Sequence, residues 1–184
     1  FNDIDVPPTL VSFAVDIGRF CEDRYFAYIA GFGAFTEVSY LTPQDKKNWL
    51  GHNAYMLEGV KSLAGLKPRH MKVEWDGKCV EDDFVFGMVT NSISVGGFKG
   101  LVNQSVAMDD GKFEVLLIRM PRTPVDLTNI INYMFLKEEP NEYVHKFKAS
   151  SIRMTSQEPV DWVLDGEFGG TKREVEIVNL EKQI

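Results

Sequence analysis

Met71-Lys72-Val73-Glu74-Trp75, Asp76-Gly77, Lys78-Cys79-Val80-Glu81-Asp82 and then Phe84-Val85-Phe86-Gly87-Met88-Val89-Thr90 are the segments that decide the fold class. Polar and apolar residues alternate on both sides of Asp76-Gly77, and a period of two belongs to a strand with one buried face. Asp-Gly suits the two positive-φ positions of a type I′ turn, so the flanking halves pair as a β-hairpin with Val73 and Trp75 on one face. Phe84 to Thr90 is apolar along most of its length and reads as a strand deep in the sheet, covered on both sides.

Working upstream, Val11 to Gly18 and Tyr25 to Gly33 read as two buried strands, with Cys21-Glu22-Asp23-Arg24 as the turn between them. Gly31 and Gly33 flank Phe32, where a strand bends or a backbone approaches another group closely. This G-x-G lacks the third glycine of a dinucleotide fingerprint and reads as a structural bend. Ala34 to Tyr40 suggests a short helix. Thr42-Pro43-Gln44-Asp45 supplies an N-cap, a first-turn proline and an acid, and Leu50, Ala54, Leu57, Val60 and Ala64 recur after it at helical spacing.

Downstream, Asn91 to Gly97 forms a polar, glycine-rich loop whose N–H groups are suited to face a ligand. Phe113 to Met120 reads as a strand. Thr123-Pro124-Val125-Asp126 repeats the capping signature, and Leu127, Ile130, Ile131, Met134 and Phe135 make an amphipathic stripe. Strands return over Phe147 to Met154, Val160 to Leu164 and Glu174 to Leu180. With no βαβ rhythm and no repeat, the expected class is mainly β (α+β), an antiparallel β-sandwich-like domain with two or three α-helices.

The 184 residues are 44% hydrophobic and 26% charged, which suits one domain with a buried core. A formal net charge of −7 gives no global attraction to nucleic acid. No uncharged stretch reaches the roughly 20 apolar residues that span a bilayer. Cys21 and Cys79 stand far apart without a metal-type grouping, so they read as buried free thiols in a reducing cytoplasm. Phe1 replaces an initiator Met, no signal-peptide pattern follows, and Pro7-Pro8 marks a lead-in. Residues 1–9 therefore read as a boundary segment and residues 10–184 as the domain.

His52, His70 and His145 have no metal-motif spacing, and no nucleophile elbow occurs. Two acidic turns remain. Asp109-Asp110-Gly111-Lys112 either offers oxygen ligands to a hard cation or is simply a turn entering a strand. Asp165-Gly166-Glu167 closes a hairpin, and Glu167 at its tip is either a general base or an ordinary surface acid.

Taken in order, Val15-Asp16-Ile17-Gly18, Tyr25-Phe26 leading to Ala30-Gly31-Phe32-Gly33, Leu50-Gly51-His52-Asn53-Ala54-Tyr55, Asn91 with Gly96-Gly97, Asp110-Gly111 and Asp165-Gly166-Glu167 resemble one family. From about Leu10 to Leu180 the chain is similar to the C-terminal domain of bacterial diacylglycerol kinase and related lipid kinases. The resemblance implies a β-sandwich domain that follows a nucleotide-binding domain, with the active site in the cleft between them. It implies Glu167 as proton acceptor for the lipid hydroxyl and Asn91, Gly96 and Gly97 as a cleft-lining, cofactor-facing loop. It also implies Mg²⁺ held by the Asp110 side chain and the carbonyls of Ala107 and Lys112. No G-G-D-G or Walker A segment occurs here, so ATP would be held mainly by the absent N-terminal domain. The expected partners are a lipid substrate, diacylglycerol first and a sphingoid base as alternative, and the protein's own nucleotide-binding domain, with no nucleic acid. Peripheral contact at the inner face of the membrane and a homodimer are compatible with this reading. A non-catalytic lipid- or metal-binding module is the reading from a different class.

Overall fold

The computed structural model describes residues 15–33, 66–92, 94–95, 98–99, 109–136 and 141–182. In chain order the elements are β1 (Ile17–Phe20), β2 (Arg24–Phe26), β3 (Ile29–Gly33), β4 (Arg69–Trp75), β5 (Lys78–Thr90), β6 (Ser94–Val95), β7 (Phe98–Lys99), β8 (Phe113–Arg119), α1 (Pro124–Leu136), β9 (Val144–Ala149), β10 (Ser151–Leu164) and β11 (Glu167–Leu180). Nine strands form one antiparallel sheet in the order β2-β1-β11-β10-β3-β5-β8-β9, with β4 paired to both β10 and β5. The long strands β5 and β10 are thus bridged twice. β4 pairs with the first half of each, and β3 pairs with the second half. This closes a barrel-like ring, which removes the free edges that an open sheet would present there.

The hairpin that decides the fold class forms as expected. Asp76 and Gly77 take φ of 45° and 74°, and Trp75 pairs with Lys78. Its second arm runs on without a break into the apolar segment, so β5 is one strand where the sequence suggests two. A register shift between Phe84 and Phe86 makes this possible, because one extra residue reverses which face each later side chain meets. Phe84 and Val89 pack inside the ring with Phe20, Phe32, Phe113, Leu117, Ile152 and Trp162. Val85, Phe86 and Met88 pack outside it with Leu116, Ile118 and Ile130 of α1. Alternate residues of β8 likewise serve the two cores, which is why β5 and β8 read as apolar runs instead of alternating ones.

Several boundaries differ from the sequence reading. The stretch Phe147 to Met154 is not one strand. The chain turns at Ser150, so Phe147 pairs with Val115 of β8 while Met154 pairs with Val73 and Val175. Val160 to Leu164 and Glu174 to Leu180 are halves of longer strands. The interruption in β10 is an irregularity between Thr155 and Val160 that contains Pro159, a residue with no N–H for a ladder. There the Ser156 hydroxyl lies 2.7 Å from the Glu158 carbonyl and 3.2 Å from that of Arg173. The Asn91 to Gly97 segment is not a bare loop, since β6 within it pairs with β7. Of the expected helices, α1 is the one among the described residues, and those proposed for Ala34 to Tyr40 and after Thr42 lie outside them. Neither cysteine is fully buried: Cys21 is half-buried at φ 56° and Cys79 is exposed on the hairpin. No helix among the described residues is long and apolar enough to cross a membrane.

Candidate active site

β10 and β11 are joined by Asp165-Gly166, whose φ values of 50° and 92° bring Leu164 opposite Glu167. Glu167 is exposed at the tip of this hairpin. The tip is fastened to the link between β2 and β3. Asp165 Oδ2 accepts the N–H of Ala27 at 2.7 Å, and Oδ1 accepts those of Tyr28 and Ile29 at 2.9 and 2.8 Å. The Asp165 N–H in turn donates to the Ile29 carbonyl at 2.8 Å. On the neighbouring strand, Arg24 donates to the Phe168 carbonyl at 2.9 Å. Among the described residues Tyr25, Tyr28, Phe168 and Val125 are the exposed large hydrophobics, and the first three belong to this region. A region that exposes both a carboxylate and aromatic side chains is suited to a ligand with a polar group on an apolar body.

The same hydrogen-bonded system continues inward. The Tyr28 carbonyl accepts the Asn91 N–H at 3.2 Å and the Thr90 hydroxyl at 2.7 Å. Asn91 is buried, and its side-chain amide donates to the Asp16 carbonyl at 3.0 Å. Asp16, with no exposed surface, accepts the N–H of Gly111 at 2.7 Å and of Lys182 at 2.9 Å through its two carboxylate oxygens. Buried carboxylates persist where donors of this kind replace water. Asn91 is thus placed as an internal tie between the β2–β3 link and the start of β1. Gly96 and Gly97 lie outside the described residues.

The Asp109-Asp110-Gly111 turn precedes β8, with Gly111 at φ 68°. Asp110 Oδ1 accepts the Lys112 N–H at 3.1 Å, and Oδ2 meets the Lys148 ammonium at 2.9 Å. Lys148, directly opposite Glu114 in the β8–β9 register, also reaches the buried Glu114 carboxylate at 3.2 Å. Asp110, with Glu114 adding to its effect, holds the Lys148 ammonium above the usual lysine range against the burial that opposes it. Each Asp110 oxygen has two lone pairs and one such neighbour, so the carboxylate keeps capacity for a hard cation, and the Lys112 carbonyl adds an oxygen of the same kind. These are oxygen donors of the class that Mg²⁺ takes, and in this structure the carboxylate is paired with the Lys148 ammonium. Ala107 lies outside the described residues, and no cluster of three or more His, Cys, Asp or Glu side chains among the described ones is placed to hold a metal.

Sequence reasoning singled out Glu167, Asn91 and Asp110 as candidates but gave no task to Asp165 or Asp16. Asp165 carries a signal, because Asn, Asp and Gly share the first position of a type I′ turn and only Asp brings an acceptor-only carboxylate. Asp16 carries a weaker one: an acid embedded in the apolar run Phe13-Ala14-Val15-Asp16-Ile17 is costly unless it is bonded.

Residues 31–178 match the family described as YegS C-terminal NAD kinase beta sandwich-like domain. The chain is 32% identical over 171 residues to the diacylglycerol kinase of Bacillus subtilis (strain 168), covering 92% of this chain and 55% of that protein. It is 30% identical over 174 residues to the diacylglycerol kinase of Staphylococcus aureus (strain Newman), covering 92% and 53%. A crystal structure of a candidate diacylglycerol kinase from Bacillus anthracis str. Sterne superposes with a TM-score of 0.70 at 25% identity, over 92% of this chain and 56% of that one. The chain thus spans about half the length of the relatives it matches. On the family match, and on a closed antiparallel sheet carrying the Asp165-Gly166-Glu167 hairpin, this chain belongs to the YegS C-terminal NAD kinase beta sandwich-like domain family.

Proposed function

We propose that the chain is the acceptor-side domain of an ATP-dependent lipid kinase, which transfers a phosphoryl group to a lipid hydroxyl, with diacylglycerol as the acceptor. The observation that carries this reading is the exposed Glu167 on a fastened hairpin tip, in a region whose bonded segments also carry the exposed Tyr25, Tyr28 and Phe168. The names of the relatives support diacylglycerol, and the halves of those proteins outside the match leave room for a nucleotide-binding domain.

Glu167 orients the attacking hydroxyl and accepts its proton while the new oxygen–phosphorus bond forms and the bond to the departing ADP oxygen breaks. Its position on a turn tip lets a lipid headgroup approach from solvent or from a membrane surface, and the aromatic rings offer amphipathic contacts to the apolar part of the substrate. Asp110 and the carbonyls of Ala107 and Lys112 would hold Mg²⁺, which when bound supplies positive charge at that turn. Asp16 and Lys148 keep the turn in place from the protein side.

The test is Glu167→Gln in the intact protein, assayed with ATP and either diacylglycerol or sphingosine. A loss of at least ~10²-fold in kcat with diacylglycerol, at unchanged circular dichroism, is expected for removal of a general base. Full retained turnover overturns the assignment of Glu167, and turnover with sphingosine alone overturns the choice of acceptor.

A further inference from the structure

We propose that Asp165 is a positioning residue for Glu167, an inference that rests on the assignment of Glu167 as proton acceptor. Glu167 follows a two-residue turn at the far end of two 14-residue strands. Beyond the last pair with β3, Leu164 with Ala30, the main chain of the turn adds one more bond to that strand, from the Asp165 N–H to the Ile29 carbonyl. A tip with only its own hairpin ladder for support frays, and its end residues lose a defined place. Asp165 prevents this. Its carboxylate gathers three successive main-chain N–H groups, those of Ala27, Tyr28 and Ile29, and its own N–H donates to Ile29. The β2–β3 link is in turn held from behind, since the Tyr28 carbonyl accepts from Thr90 and Asn91. Glu167 is therefore set at a fixed offset from the buried strands β3 and β5 chiefly through the Asp165 side chain two residues away, which makes three of the bonds across, while Arg24 holds the Phe168 carbonyl on its other side.

The turn conformation alone does not require aspartate, because asparagine and glycine adopt the same positive φ. All three neighbours are donors, and a carboxylate has only acceptor sites to offer them. Asparagine must aim its NH₂ at one of them. The carboxylate is thus the chemically selected feature of this position, and its effect falls on the placement of the hairpin tip.

The experiment is a double-mutant cycle in the intact protein with Asp165→Ala, Glu167→Gln and the pair. A displacement of about 1 Å at a reacting group lowers rate by on the order of 10²-fold, so Asp165→Ala is expected to reduce kcat by ~10- to 100-fold. KM for ATP should stay within ~2-fold, because the groups proposed to hold the nucleotide lie outside this hairpin. In the Glu167→Gln background, removing Asp165 should cause no further loss, since it acts through the group already removed. Asp165→Asn, which keeps one acceptor oxygen, should lose less than Asp165→Ala, and it carries the test if the alanine variant does not fold. An unchanged kcat in Asp165→Asn and Asp165→Ala, or an equal loss with and without Glu167, overturns the inference. If Glu167→Gln itself retains full turnover, the failure lies with the proton-acceptor assignment instead.

Discussion

Gly87→Ala tests the packing that closes the ring. A methyl group built at Gly87 would lie 2.2 Å from Cε1 and 2.6 Å from Cζ of Phe32. Carbon atoms settle at about 3.5–4.0 Å, so the ring would have to retreat by roughly 1.3 Å. It has nowhere to go: Phe32 has no exposed surface, and its ring already meets that of Trp162 edge-on at 5.1 Å. Overpacking of this kind costs about 1–3 kcal/mol, whereas a glycine-to-alanine change at a φ that alanine accepts gains ~0.4–1 kcal/mol by restricting the unfolded chain. The clash wins by about 1–2 kcal/mol, which for a domain of this size lowers Tm by ~2–8 °C. Calorimetry of the intact protein, following the transition of this domain, measures it. Phe32→Leu in the Gly87→Ala background should recover about 1 kcal/mol relative to the sum of the single changes, because the two atoms that collide are then gone. A Gly87→Ala variant as stable as the parent, or strict additivity with Phe32→Leu, refutes the assignment of both residues to one tightly filled side of β5.

Thr123→Ala should destabilise by about 1 kcal/mol, because Thr123 Oγ1 accepts the Asp126 N–H at 3.2 Å while Asp126 accepts the N–H groups of Thr123 and Arg122. Thr123→Ser should be near neutral in denaturant titration, and equal stability of the alanine and serine variants would refute the capping role. The two described histidines should shift the pH dependence of Tm in opposite directions. Asp83, and then Glu81, raise the pKa of His70 above 6.5, so its contribution is complete below pH 6.5 and fades as pH rises through the folded-state value. Burial, aided by Arg119, lowers the pKa of His145, so its contribution is complete above pH 6.5 and fades as pH falls. Across pH 5–8, plotted as Tm against rising pH, His70→Ala should make the slope more positive and His145→Gln more negative; the reverse ordering would refute these environments.

Local chemistry made most of the strands and turns legible. Asp76-Gly77 announces a type I′ hairpin and Asp165-Gly166 a hairpin, and both form with positive φ at two successive positions, a requirement that few residues meet. Thr123 to Asp126 announces α1 through donors that the first helical turn leaves unsatisfied. What hydrophobic periodicity does not carry is continuity. The bulge at Val85 allows β5 to pass through what looks like a change of strand, and Ser150 turns the chain where the alternation only shifts phase by one residue, a shift that a bulge within one strand would produce equally. In both places the pattern of buried side chains is set by which neighbours lie across the sheet, and those neighbours are remote in sequence.

The site divides along the same physical line. Glu167, Asn91 and Asp110 stand out in the sequence because each sits at or beside a turn, where an acid or amide has a recognisable local use. The bonds that hold these segments relative to one another do not stand out, since they join Asp165 to residues 27–29, Asn91 to Asp16, and Asp16 to Gly111 and Lys182. Every one of them ends on a main-chain group. A main-chain N–H or carbonyl is present at nearly every position, so the partner residue leaves no trace in composition or spacing. Only the side-chain end of such a tie is written: an amide donor at Asn91, an aspartate acceptor where a turn needs only small size, or an aspartate acceptor within an apolar run. Acids that local structure does not require are therefore residues from which long-range order can be read, and among the described residues Asp165 and Asp16 bring turns into one frame in this way.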